Sequence, residues 1–402
     1  MFLKYFPPQL VAALVLLTIL SAALGCDEES TGPLEPELRT EAVCADGVGE
    51  FDVFVERQIS AIGPVGNDLA ASANSVWVVE SGSNTVSRLD RQSDRYHDFF
   101  VDVGNERNPY AATVDGTARQ LWIANYASNT VSVASMDTGE ILVELEDESF
   151  ENPSTVVLSD THAYVGNVNF ISLAEGYGPG SITVIDRADS QVVGVLETEF
   201  KNPQFMTVEI VDGNPVLLVS SGGELERRND RFEVVSEGGL EIYDINSDAV
   251  TPARESFALG QLTVGDVGAP GTPLLSPDSG RLYFVSGNAP VLFVFDLVER
   301  EWVHDASSPI EIYQTDGDAT HKAVMDSDGL LWITAFNKDA LYLFDTSCLE
   351  KVAPPIDLGR VANMLEGPQS ILVVDDGAAR EGYVVMTISN ALGRVRLVPV
   401  EN

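Results

Sequence analysis

The chain has 402 residues and is strongly acidic, with 62 Asp plus Glu against 23 Lys plus Arg and a formal net charge of -39 at pH 7. A surface of that sign repels phosphate backbones, which argues against polynucleotide binding, and at low salt it favours cationic ligands, divalent metals and basic partners. The length would hold one large domain or two ordinary ones, but a single repeating pattern runs through nearly all of it, so one repeat domain is expected.

The first residues place Lys4 ahead of an apolar stretch from Leu10 to Leu20, then small residues before Cys26. That order reads as an export signal over residues 1–25, too short to span a bilayer comfortably, and no later stretch approaches ~20 uninterrupted apolar residues. Ala23, Leu24, Gly25 and Cys26 resemble a bacterial lipoprotein signal, with Ala23 where Leu is more usual and plain secretion as the alternative. The resemblance implies that Cys26 is lipidated and that the protein is exported and membrane-anchored, facing the periplasm or the cell surface. In an oxidising space the two remaining cysteines, Cys44 and Cys348, are a disulfide candidate. Residues 26–48 are acidic, rich in Pro and Gly and without periodicity, and read as a flexible tether to a domain over residues 49–402.

That domain begins with an alternating strand, FDVFVERQIS, from Phe51 to Ser60. Units follow in which an apolar strand meets a polar turn and a second strand: from Val76, Leu121, Ala163, Val216, Leu282, Leu331 and Tyr383. They recur at roughly 40 to 65 residues, the spacing of four-stranded propeller blades. A short strand precedes most of them, often introduced by Pro, as in NPYAATV at Asn108, NPSTVVL at Asn152 and NPQFMTV at Asn202. The last unit stops after RVRLV, one strand short. Donating Phe51–Ser60 to it would close the ring and hide two open edges. The expected fold is therefore an all-β, seven-bladed propeller of four-stranded antiparallel blades, closed by an N-terminal strand in the last blade. Trp77, Trp122, Tyr164, Tyr283 and Trp332 are expected to be core between blades. The Asp residues that end the third strands (Asp90, Asp186, Asp244, Asp296 and Asp345) are expected to be turn residues and not ligands.

SNTVS in two units, LWIAN before the second of them and SITVID in the third resemble the YVTN-type β-propeller repeat. The resemblance covers about Phe51 to Val400 and weakens after Leu196. It implies the propeller fold and leaves the ligand open, because function lives in sites grafted onto a fold.

Loop length indicates the working face. Asn167–Gly180, Ser220–Gly239, Gly260–Gly271 and about Asp305–Asp318 are extended, and propeller geometry puts all four on the face where the innermost strands begin. Those strand starts bring Asn108, Asn152, Asn202, Gln204, His321, Lys322 and Gln369 to the channel mouth as candidate ligand-binding residues. Such a ring can recognise a polar small molecule or a peptide end; the alternative is that Asn before Pro only starts the strand and the polar groups only hydrate the channel.

There are four His, at 97, 162, 304 and 321, and no HExxH, GxSxG or CxxC. The residues supply no catalytic set and no zinc site. Asp316 and Asp318, in DGDATHKAV, are oxygen ligands that would suit calcium, the one cofactor worth considering. The sequence thus favours a monomeric, lipid-anchored binding or scaffold module of the cell envelope, with an envelope protein or a polar small molecule as partner. The alternative is a lactonase-like hydrolase or lyase using His321 as base at the channel mouth.

Overall fold

The computed structural model describes residues 36, 38–40, 49–59, 61–172, 174–228, 231–246, 252–260, 267–278, 280–313, 320–359, 365–375 and 379–400. The expected export signal, Cys26, Cys44, Asp316 and Asp318 lie outside these residues, as does the side chain of His321. Apart from one 3₁₀ turn at Phe336–Lys338, the regular structure among them is all strand. It forms a seven-bladed β-propeller. Blade 1 runs outward as Gly66–Ser72, Ser75–Glu80, Thr85–Asp90 and Arg95–Asp102. The innermost strands of blades 2 to 7 are Pro109–Asp115, Pro153–Leu158, Pro203–Val211, Leu274–Leu275, Thr320–Met325 and Pro368–Asp375.

The ring is held by apolar contact between neighbouring sheets. Among the described residues most buried apolar side chains fall into seven clusters, each drawn mainly from two adjacent blades, including one joining blade 7 to blade 1. Because the middle strands are covered on both faces, they read as continuous apolar runs, as in Ser75–Glu80 and Leu330–Ala335, buried along their whole length. The expected core aromatics are there: Trp77, Trp122, Tyr164, Tyr283 and Trp332 are all at most 5% exposed. Each such side chain removes enough apolar area from water to contribute about 2–3 kcal/mol.

The last blade is completed from the other end of the chain. Phe51–Ile59 pairs antiparallel with Ala391–Pro399, from Phe51 opposite Pro399 to Ile59 opposite Leu392. One piece departs from the expected tether: Leu38–Arg39 is a short strand outside Phe51–Ile59, and the buried Thr40 hydroxyl accepts a bond from the Phe51 amide at 2.9 Å. A two-residue strand carries no periodicity, which is why the sequence reads through it. Cys348, in the outer turn of blade 6, is disulfide-bonded.

The turn Asp residues behave as turn chemistry requires. Asp90, Asp186, Asp244, Asp296 and Asp345 each accept a backbone amide two residues on. Blade 4 is complete, with Arg254–Ala258 outermost. Blade 5 has an innermost strand of only two residues. Its outer edge is split between Glu301–His304 and Ile310–Glu311, both paired with Val291–Asp296, so part of the expected 305–318 loop is strand. Of the other insertions, the blade 3 loop folds into a hairpin, Phe170–Ser172 with Gly176–Tyr177, and the blade 4 loop into Leu225–Arg228 with Arg231–Val234.

Candidate binding site at the channel mouth

The innermost strands share one irregularity at their starts. Pairing with the next strand slips between Gly66 and Asp68, Pro109 and Ala111, Pro153 and Thr155, Pro203 and Phe205, Thr320 and Ala323, and Pro368 and Ser370. Six of seven blades thus carry a β-bulge at the same level. Four of the bulges open on a Pro, which cannot donate to the ladder and so tolerates the break. A bulge re-aims side chains. Here it sets apart Asn67, Tyr110, Ser154, Gln204, His321 with Lys322, and Gln369.

Several of these side chains meet across blades. Gln204 Nε2 donates to the Tyr110 hydroxyl at 2.8 Å, and Asn67 Nδ2 to the Tyr110 carbonyl at 2.6 Å. The Lys322 ammonium is paired with Asp68, which also accepts the Ser370 hydroxyl at 3.3 Å. Blades 1, 2, 4, 6 and 7 are therefore linked at one level, and the linked residues lie as far apart in sequence as Asp68 and Ser370. Ser154 drops out of the ring: it is 2% exposed and bonded to the Gly166 carbonyl.

Aromatic rings stand beside the polar groups. Tyr110 and Tyr126 lie 5.4 Å apart between centroids, and Phe170 and Tyr177, on the blade 3 hairpin, meet edge to face at 5.3 Å. Burial, helped by nearby Tyr177, pushes the Tyr110 hydroxyl up to about 12 against the opposing hydrogen bond from Gln204. Burial and then Glu224 raise Tyr177 as well. Both phenols are neutral donors at physiological pH. The mouth thus offers an amide, phenols and ring faces, with Asp68 already neutralised by Lys322. Such groups can hydrogen-bond a polar molecule and stack on an aromatic one.

The Asn residues before Pro have a structural duty. Asn108, Asn152 and Asn202 have φ of 52°, 55° and 62°, the left-handed region in which Asn is enriched. The amides of Asn108 and Asn152 donate to the side chains of Asn84 and Asn129 in the turn of the preceding blade, each at 2.9 Å. Asn152 spends its side chain too, donating to the Tyr126 carbonyl at 3.2 Å and accepting from the Phe170 amide at 3.0 Å. It anchors the hairpin that carries Phe170 and Tyr177. Asn202 is 2% exposed, and its carbonyl accepts the Gly222 amide. Gln204, Lys322 and Gln369 are part-exposed in their bulges, and the backbone of His321 shares the blade 6 bulge with Lys322.

Sequence reasoning missed Tyr110, Asn67 and Asp68. Tyr110 had a signal: it follows Asn-Pro just as Gln204 does, in NPY and NPQ. Blade 1 lacks that Pro, so Asn67 and Asp68 carried none. Elsewhere on this face, an open groove of 530 Å³ near Arg107, Asn129 and Asp147 lies over blade 2 and its connections. Its cation is already engaged, because Arg107 is paired with Glu144 and bonded to Thr130. Among the described residues no group of three or more His, Cys, Asp or Glu side chains converges as a metal site.

No family model matches the chain. No curated protein matches it either. Solved structures do. The hydrazine synthase of Kuenenia stuttgartiensis superimposes with a TM-score of 0.61 at 16% identity, over 84% of this chain and 96% of that one. A streptogramin B lyase gives 0.62 at 14% identity, over 86% and 98%. The virginiamycin B lyase of Staphylococcus aureus gives 0.62 at 12% identity, over 87% and 100%. At these identities the likeness establishes the propeller fold and nothing of the chemistry.

Proposed function

We propose that the protein is an exported, lipid-anchored propeller of the YVTN-repeat type, a binding module of the cell envelope whose guest docks at the channel mouth. The ring of bulged side chains supports this most directly, since Tyr110, Gln204 and Gln369 present polar groups at one level beside Tyr126, Phe170 and Tyr177. Rigid strands hold the ring, and preorganisation of that kind lowers the entropic cost of binding. The anchor rests on the order of charge, apolar stretch and small residues before Cys26.

One experiment tests both halves. Solubilised envelopes carrying the parent chain, Cys26→Ser and the double change Tyr110→Ala with Gln204→Ala are fractionated and subjected to affinity capture. Cys26→Ser is expected to leave the membrane fraction, and the double variant to stay there while losing at least about tenfold of the captured guest. A Cys26→Ser protein that stays with the membrane overturns the anchor; undiminished capture by the double variant overturns the site.

A second reading, a hydrolase or lyase, has one observation in its favour: His321 occupies the blade 6 bulge. Turnover of a lactone or ester that disappears in His321→Ala would favour it over binding.

A further inference from the structure

Below the mouth, the channel opens beside the short innermost strand of blade 5 into a second space. It is a cavity of 280 Å³, lined by residues of blades 4 to 7 that include Thr207, Glu209, Leu274, Val324, Met325 and Leu372. The space is partly open and has the volume of roughly nine waters. Its described walls are mainly Leu, Val, Met and Pro, and Glu209 is the one charged side chain among the described lining residues. The carboxylate accepts a hydrogen bond from Thr207 Oγ1 at 2.8 Å. Burial pushes the carboxyl above the ordinary glutamate range, with the Thr207 bond opposing it.

We propose that this cavity is a binding site for a small organic cation, whose ammonium group pairs with Glu209 while its alkyl body lies against Leu274, Val324 and Leu372. Each competing occupant meets an obstacle. A calcium ion needs six to eight oxygens, and the lining offers one carboxylate and the hydroxyls of Thr207 and Thr272, so its dehydration would go uncompensated. An anion is repelled by Glu209. A neutral apolar molecule would leave the carboxylate desolvated without a countercharge. A primary ammonium brings three donors for the carboxylate and the threonines, and its alkyl chain matches the walls. The net charge of -39 raises the local concentration of cations around the whole molecule. The size lies just under the usual range for ligand pockets, which limits the guest to a small one.

The test is isothermal titration of the full chain with n-butylammonium chloride, using 1-butanol as the neutral match. The parent is expected to bind butylammonium saturably and 1-butanol at least about tenfold more weakly. Glu209→Gln, which keeps the shape and the Thr207 bond, is expected to weaken butylammonium at least about tenfold. Leu372→Trp, which fills the cavity and leaves the carboxylate intact, is expected to abolish binding, and it decides the matter if Glu209→Gln does not fold. No saturable binding by the parent at about 10 mM, equal affinity for 1-butanol, or binding that survives either substitution overturns the proposal.

Discussion

Val53→Asp is expected to cost about 4 kcal/mol or more, and removal of residues 1–59 to leave a chain that aggregates on refolding instead of recovering its fold. Val53 is fully buried in the cluster joining blades 6 and 7, near Trp332, Val395 and Leu397. A carboxylate there is moved from water into a site walled by apolar side chains, and its desolvation is the cost. Without Phe51–Ile59, the strand Ala391–Pro399 becomes an open edge, and the faces of Phe51 and Val53 are lost from an interface that closes the ring. Urea denaturation measures the first effect, and size-exclusion chromatography after refolding the second. A Val53→Asp protein within about 1 kcal/mol of the parent would show that the ring holds without this strand.

The same closure is expected to loosen in acid. Glu56, on the donated strand, is bonded by Arg394 at 2.6 Å and by Arg396 at 2.8 Å, both on the last strand of the chain. Burial pushes the Glu56 carboxyl upward, but the two guanidiniums outweigh it and hold the group below the ordinary glutamate range. A depressed folded pKa stabilises the fold fully above the unfolded value of about 4.3, and that contribution disappears as pH falls through the folded value. Stability is therefore expected to decline below about pH 4.3, with a flatter decline in Glu56→Gln. An identical acid limb in both proteins would assign the loss to other carboxylates.

What the sequence made legible was what repeats locally. Apolar middle strands, turn Asp residues and the missing strand of the last unit all leave marks within a few residues of one another, and each has its counterpart in the fold. The mouth of the channel was half legible. Gln204 and Lys322 could be read from their place at strand starts, but their partners Tyr110 and Asp68 are set by register slips that no short window records. The asparagines of the Asn-Pro pairs carried a double meaning. Asn152 precedes the innermost strand of blade 3, yet its side-chain amide is spent holding the Phe170 hairpin, a bond that depends on how an insertion folds back. Leu38–Arg39 and Ile310–Glu311 are too short to show a period at all.

Glu80→Leu is expected to cost about 4 kcal/mol, while Glu80→Gln costs about 1 kcal/mol or less. The contrast follows from an inversion within the repeat. At the end of the second strand, blade 2 has Asn125, whose Nδ2 donates to Thr130 Oγ1 at 3.1 Å and Ser132 Oγ at 2.7 Å. Blade 3 has Asn167, which donates likewise to Ser181 and Thr183. Blade 1 places Glu80 there, and its Oε2 accepts from Thr85 and Ser87 at 2.8 and 2.9 Å. The geometry is the same with donor and acceptor exchanged, which hydroxyls permit because their protons rotate. Its other oxygen, Oε1, accepts the Gly63 amide at 2.7 Å and the Tyr96 hydroxyl at 2.9 Å, tying the segment after the donated strand to blade 1. Burial and the charge of Glu80 keep Tyr96 protonated far above the phenol range, so it remains a donor. Gln keeps an oxygen for Gly63 and Tyr96 and turns an amide toward Thr85 and Ser87, reproducing the bonds of Asn125. Leu takes both acceptor oxygens away from Gly63, Tyr96, Thr85 and Ser87 at a position that is itself fully buried. Denaturant midpoints of the two variants separate the cases, and equal losses in both would mean that the charge of Glu80, and not its pattern of acceptors, is what blade 1 requires.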